Sequence, residues 1–344
     1  MTVYRVAFIG CGNRAKPHAA AVQTDSRCEV VALADLNTEA ARAFNDHYGF
    51  NAVVYADYIE MLAAVKPDIV ISCLWTPLHL QMFQACAAAG VKAVHSEKPM
   101  APSWGDCLEM ARIAEETGSQ LTFCHQRRFA EGNQLVRQWM KEGRIGKLLR
   151  MDLYSPPNLL DCGTHTFDQA LSFNEEIGVK WVLGAVDGTN PLNWFNVRAE
   201  SMAVGTLVFE NGVRANIQTG GPDQDMHTGI RLIGSGGFIE VNWDGGIGEV
   251  RSYDDPAWKP EVPSSPEGNQ MTGVIDDIVS SLAAGTEPEL SYRKALRASE
   301  IIYAFYESVR RHARVELPLE GVTDNPFIQL LEAGHFAPAA GQGA

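Results

Sequence analysis

The stretch Val6-Ala7-Phe8-Ile9-Gly10-Cys11-Gly12-Asn13-Arg14-Ala15 decides the fold. Four apolar, strand-forming residues run straight into a GxGxxA turn, and the residues beyond it open a helix. Gly10 permits the tight turn, and Gly12 lets backbone approach a pyrophosphate resting on the helix N-terminus. Working outward, the next apolar run, Val30–Ala34, ends at Asp35. That carboxylate lies about 20 residues past the glycines and is placed to accept both ribose hydroxyls of a dinucleotide. It also repels a 2′-phosphate, and Leu36-Asn37 supplies no cation to offset it, so NAD is preferred over NADP. Arg14 could still swing across to meet such a phosphate, which keeps NADP open.

The rest of the first half repeats the alternation. Ile69–Leu74, Ala93–His95 and Leu121–Phe123 read as further strands, and Thr38–Tyr48, Leu78–Ala89 and Trp104–Thr117 as helices between them. Gly49, Gly90 and Gly118 stand where helices end. Apolar strands separated by helices predict a doubly wound parallel sheet covered on both faces, a Rossmann domain over residues 1–125. Beyond it the texture changes. Helices are expected at Glu131–Lys141 and Thr164–Phe173, with alternating runs at Lys147–Tyr154, Lys180–Val186, Ala203–Phe209, Arg214–Thr219, Gly229–Ile233 and Phe238–Val241. Two more helices follow at Thr272–Ala284 and Tyr292–Arg311. This predicts an α+β domain over 126–334 with an open, mostly antiparallel sheet, and a flexible tail over 335–344.

Composition narrows the function. The 344 residues carry a formal charge of −14, and no basic face is concentrated enough for nucleic acid or an anionic membrane. The seven cysteines are scattered, with no CxxC pair, so neither a zinc ribbon nor a disulfide framework is read. The start of the sequence leads directly into a strand without a cleavable signal pattern, and no apolar stretch reaches the ~20 residues of a membrane span. The cytoplasm is the expected address.

Two further motifs carry chemistry. Glu97-Lys98-Pro99 follows the fifth strand-like run. Ligands of doubly wound sheets bind past the carboxyl ends of strands, so Lys98 is expected at the nicotinamide, donating to a substrate oxygen. Taken alone, that tripeptide also suits a solvated turn. In Asp161-Cys162-Gly163-Thr164-His165-Thr166-Phe167-Asp168, the four-residue spacing can bring Asp161 and His165 to one helix face, with Asp168 near them. An imidazole there can take a hydroxyl proton and a carboxylate can orient it. A metal held by these three is the lesser reading because no second histidine sits at ligand spacing, and no metal is assigned.

In order and spacing these motifs resemble the Gfo/Idh/MocA family, the glucose–fructose oxidoreductase and inositol dehydrogenase group, over nearly the whole chain. Gln126-Arg127-Arg128-Phe129, Gly143-Arg144-Ile145-Gly146-Lys147 and Phe209-Glu210-Asn211-Gly212 add to the likeness. The resemblance implies an NAD(P)-dependent dehydrogenase acting on a secondary hydroxyl of a sugar, glycoside or cyclitol. It implies catalytic roles for Lys98, Asp161 and His165, and cofactor contacts from Gly10, Gly12, Asn13, Arg14 and Asp35. It places Trp75, Thr76, Pro77, His79, Glu97 and Gln126 along the cofactor as well, and implies a cis Lys98–Pro99 bond. A homodimer or homotetramer through the second domain's sheet is implied too.

Two departures stand out. Gln81 occupies a position where many members carry histidine, and Ser155-Pro156-Pro157-Asn158-Leu159-Leu160 replaces a glycine-rich approach to the aspartate. Arg127, Asn158, Asp225 and His227 are candidates for hydroxyl recognition. Two other functions keep the same residues or fold: an NAD-dependent glycoside-cleaving enzyme working by transient oxidation and elimination, and a non-enzymatic dinucleotide-binding regulator.

Overall fold

Runs of apolar residues too short to cross a domain as helices become strands, and the polar stretches between them cover both faces. In a computed structural model, residues 2–220, 229–265 and 268–336 are described. The chain runs β1 (Tyr4–Ile9), α1 (Ala15–Thr24), β2 (Cys28–Ala34), α2 (Thr38–Tyr48), β3 (Val53–Tyr55), α3 (Tyr58–Val65), β4 (Ile69–Ser72), α4 (His79–Ala88), β5 (Ala93–Ser96), α5 (Trp104–Thr117) and β6 (Gln120–Phe123). These strands form one parallel sheet in the order β3-β2-β1-β4-β5-β6. Every residue of β4 and β5 is buried, as a sheet covered on both faces requires. The helices stop where the glycines stand: Gly49, Gly90 and Gly118 all have left-handed φ, and Gly49 is the C-cap of α2. β3 and α3 were not read from the sequence; β3 is three half-exposed residues with no long apolar run to mark it.

After β6 come α6 (Glu131–Lys141), β7 (Leu148–Tyr154), a π-helical turn at Leu159–Gly163, α7 (Thr164–Phe173), β8 (Val179–Asp187), β9 (Leu192–Trp194), β10 (Val197–Ala199), β11 (Met202–Phe209), β12 (Arg214–Gly220), β13 (Gly229–Gly234), β14 (Gly237–Asn242) and β15 (Ile247–Ser252). The chain then forms α8 (Gln270–Ala284), α9 (Tyr292–Arg311), β16 (Val315–Glu316) and α10 (Pro326–Glu332). The second sheet has the order β15-β14-β13-β7-β12-β11-β8-β16 and is antiparallel except where β7 meets β12. Its strands alternate: in β12, Ala215, Ile217 and Thr219 are buried while Arg214, Asn216 and Gln218 are exposed. Gly184 and Gly205 face each other in register because a Cβ on either would collide with the Phe305 ring of α9.

The chain packs as two units, and they are not separated by one cut. Met1–Ala101, Asp106–Gln126 and Asn269–Leu296 form the first; Pro102–Gly105, Arg127–Gly268 and Arg297–Ala344 form the second. α8 therefore belongs with the parallel sheet. Arg27 Nη2 meets Asp276 Oδ1 at 2.7 Å, and Gln120 Nε2 donates to the Ile278 carbonyl at 3.0 Å. At the other end, His335 and Phe336 lie against His312 and Phe327, so packing runs two residues past Gly334. Residues 337–344 lie outside the described part. Among the described residues no helix is long and apolar enough to cross a membrane.

The second unit carries a buried ion pair. Arg128 and Asp168 are each 1% exposed, and Nε and Nη2 of Arg128 both reach the Asp168 carboxylate at 2.8 Å. Glu176 takes Nη1 of the same guanidinium at 2.6 Å. Asp168→Asn leaves a buried guanidinium short of its main counter-charge, and should lower unfolding free energy by about 3–5 kcal/mol in urea titrations.

Candidate active site

The strand order reverses between β1 and β4, and a crevice opens past the carboxyl ends of strands at such a point. Gly10 sits there with φ +87°, and a Cβ would stand 2.9 Å from the Cys73 carbonyl oxygen at the end of β4. Gly12 has open space where its Cβ would be, which leaves the turn accessible to a ligand. α1 begins with no side-chain cap and no acidic residue in its first turn, so its first N–H groups remain suited to an anion. Asp35 closes the far side: Oδ2 accepts from Cys11 N and Oδ1 from Asn37 N, both at 2.8 Å. These bonds aim the carboxylate and leave lone pairs for ribose hydroxyls. The residues fit a dinucleotide.

Arg14 does not point toward Asp35 as the sequence allowed. Its Nε donates to Glu97 Oε1 at 2.7 Å, and His18 Nε2 meets the same oxygen at 2.8 Å. Burial by itself would raise the Glu97 carboxyl, but the His18 hydrogen bond and the Arg14 guanidinium outweigh it and hold the acid well below the usual range. Glu97 is thus a fixed anion at 6% exposure, immediately before Lys98 at 9%. The Lys98–Pro99 peptide is cis. His79 is fully buried, with ring nitrogens 3.1 and 3.2 Å from the Met100 and Leu74 carbonyls, so it ties the post-β4 turn to the Glu-Lys-Pro segment. Burial holds its ring neutral. Thr76 and Pro77 form a 3₁₀ turn ahead of it, Trp75 is 55% exposed, and Gln126 Oε1 accepts weakly from the Cys124 thiol at 3.5 Å.

In the second unit, Asp161 lies within the π-helical turn that runs into α7, just before the start of that helix as expected. Asn158 holds this turn: its Oδ1 accepts from Asp161 N at 2.7 Å and its backbone oxygen from Gly163 N at 3.0 Å. Oδ1 of Asn158 thus has a structural task, while its amide nitrogen is buried without a partner. His165 is 2% exposed and meets the Trp243 ring edge-on at 5.3 Å. The Arg127 guanidinium carbon lies 3.1 Å from the centroid of that indole. Arg127, Asn133, His165, Gln169, Asn242 and Trp243 are among the residues lining a small cleft. Both polar atoms of the Gln169 amide are buried there without a partner. Asp168 is engaged by Arg128. Asp225 and His227 lie outside the described residues.

Sequence reading missed Glu200. It is fully buried; Oε1 accepts from Leu159 N and Oε2 from the Tyr306 hydroxyl, each at 2.6 Å. Nothing local marks it, because its partners lie 41 and 106 residues away. Burial pushes its carboxyl up from 4.5 to about 7. The folded chain therefore holds a proton that the unfolded chain has released, and the associated stability is lost as pH rises through about 7. Between pH 5 and pH 8, wild-type protein should lose thermal stability relative to Glu200→Gln, read from unfolding midpoints at each pH.

Residues 4–125 match the family described as "Oxidoreductase family, NAD-binding Rossmann fold", and residues 154–317 match its "C-terminal alpha/beta domain". The chain is similar to the D-glucoside 3-dehydrogenase of Escherichia coli, 30% identical over 241 residues, covering 60% of this chain and 67% of that protein. It is also similar to the D-apiose dehydrogenase of Paraburkholderia graminis, 25% identical over 346 residues, covering 91% and 90%. Among solved structures, the WlbA dehydrogenase from Bordetella pertussis in complex with NADH and UDP-GlcNAcA shares the fold, with TM-score 0.78 and 24% identity over 93% of this chain and 99% of that one. With both domains matched in order, this chain belongs to the Gfo/Idh/MocA family of oxidoreductases.

Proposed function

We propose that the chain is a dehydrogenase for a secondary hydroxyl of a sugar, glycoside or cyclitol, with NAD preferred over NADP. The observation that carries this reading is the buried His165 lining a small cleft, with Arg127 and Gln169, in the unit without the nucleotide turn. His165 takes the hydroxyl proton, Asp161 orients the substrate, and the Lys98 ammonium stabilises the oxygen as it gains charge. A bound nicotinamide supplies the acceptor for the hydride. Glu97 and Arg14 set the backbone on either side of Lys98 and the glycine turn, so both are positioned before substrate arrives. The preference for NAD is supported by Asp35, and by Arg14 being engaged at Glu97 and so not offered to a 2′-phosphate.

The seven free thiols suit a reducing compartment. Tyr154, Leu183 and Val204, 40%, 47% and 40% exposed on the outer side of the second sheet, support self-association across that face. Val204→Glu should reduce the mass seen by light scattering.

A screen of pyranoses, their keto-derivatives and cyclitols, each with NAD and with NADP, should give stoichiometric NADH with one of these classes. Release of an aglycone with no net NADH would replace simple dehydrogenation by oxidation and elimination. His165→Ala should lower turnover by roughly 10²–10⁴ while NAD affinity is kept. Asp35→Ala should weaken NAD and narrow its advantage over NADP, measured by fluorescence titration of the reduced cofactors.

A further inference from the structure

The first unit brings together three side chains that the proposed reaction does not use. His18 comes from α1, His95 from β5, and Cys124 from the residue after β6; all three are buried. One ligand atom from each lies within 4.8 Å of the other two.

The hydrogen bonds around the imidazoles fix which nitrogen each has available. The Thr122 hydroxyl donates to the Val94 carbonyl at 3.4 Å, so toward His95 it accepts, at 2.9 Å from Nδ1. His95 therefore carries its proton on Nδ1, and Nε2 is a bare lone pair, buried without a partner. Glu97 is an ionised carboxylate and can only accept, so His18 carries its proton on Nε2, 2.8 Å away. Its Nδ1 is likewise buried without a partner. Each ring thus donates one N–H outward, one of them to a carboxylate, and keeps the other nitrogen free. This is the outer-shell pattern of metal-bound histidines. A neutral imidazole with one bare nitrogen is the form that binds metal. Two buried, unsatisfied imidazole nitrogens are costly unless something fills their lone pairs.

We propose that His18, His95 and Cys124 form a metal site in the first unit, selective for a borderline-soft ion and filled by Zn²⁺. Two imidazoles and a thiolate are zinc donors, and bonds of about 2.0–2.3 Å would draw them closer than they stand without the ion. Binding removes the Cys124 proton, S–H giving way to S–Zn with release of H⁺. The thiolate offsets one of the two charges of the ion, while the Glu97 carboxylate is paired with Arg14, whose Nη2 stands 3.8 Å from the Cys124 sulfur. The ion clamps α1 to the carboxyl ends of β5 and β6, directly behind the Arg14–Glu97 pair.

The test uses the full chain, chelated and then exposed to Zn²⁺ or Co²⁺. Expected results are one zinc per chain by elemental analysis, a rise in thermal midpoint with zinc, and a Co²⁺ spectrum with a thiolate charge-transfer band. Cys124→Ser should abolish that band and weaken zinc affinity at least tenfold while circular dichroism stays unchanged. Absence of stoichiometric zinc and of the cobalt band in wild-type protein would overturn the proposal, whatever the variant does. Equal uptake by a folded Cys124→Ser would overturn it as well, since the metal would then sit elsewhere.

Discussion

The close approach of Gly10 to the carbonyl of Cys73 is the constraint on which the first unit turns. The strand order reverses there, and the chain leaving β1 must pass the end of β4 with no room for a side chain. A methyl group would push β1 from β4, or push the turn out of the crevice. Because the turn lies low, the N–H of Cys11 reaches Asp35, and the end of β2 is locked to the end of β1. The Asp35 carboxylate and the glycine turn are therefore joined. Rigidity here matters for binding, since a preformed site avoids the cost of ordering loops around a ligand.

Buried charge does the corresponding work elsewhere. In the first unit Glu97 gathers Arg14 and His18, which fixes the segment before Lys98. In the second, Arg128 grips Asp168 on α7, the helix that carries His165, and Glu200 holds the backbone at Leu159, where the turn bearing Asp161 starts. Such groups are costly to bury, and each is satisfied by several partners. They act through position, fixing the backbone beside Lys98, Asp161 and His165.

Much of this was legible in the residues. The limits of α2, α5, α6, α7 and α9 coincide with their apolar periodicity, and Asn37 caps α2 as its side chain suggests. The glycine turn, Asp35 and the Glu-Lys-Pro element stand where strand ends were expected. Less legible were elements whose residues have no periodicity to display, such as β3, β9 and β16, each three residues or fewer. Asp168 read as a companion of His165 because the two lie one helical turn apart; its true partner, Arg128, is 40 residues away and invisible to any local pattern.

The sequence by itself determined the architecture of each half, because strand and helix periods, capping residues and glycine positions are local properties of the chain. It also placed a carboxylate, Asp35, at the end of the second strand, on which the proposed preference for NAD rests. Only the tertiary structure decided which unit owns α8, what Arg14 binds, and that His18, His95 and Cys124 converge. Those outcomes depend on contacts between residues tens to hundreds of positions apart. Burial removes the water that would otherwise satisfy each group, and the choice of partner then rests on which side chains the packed sheet brings within reach.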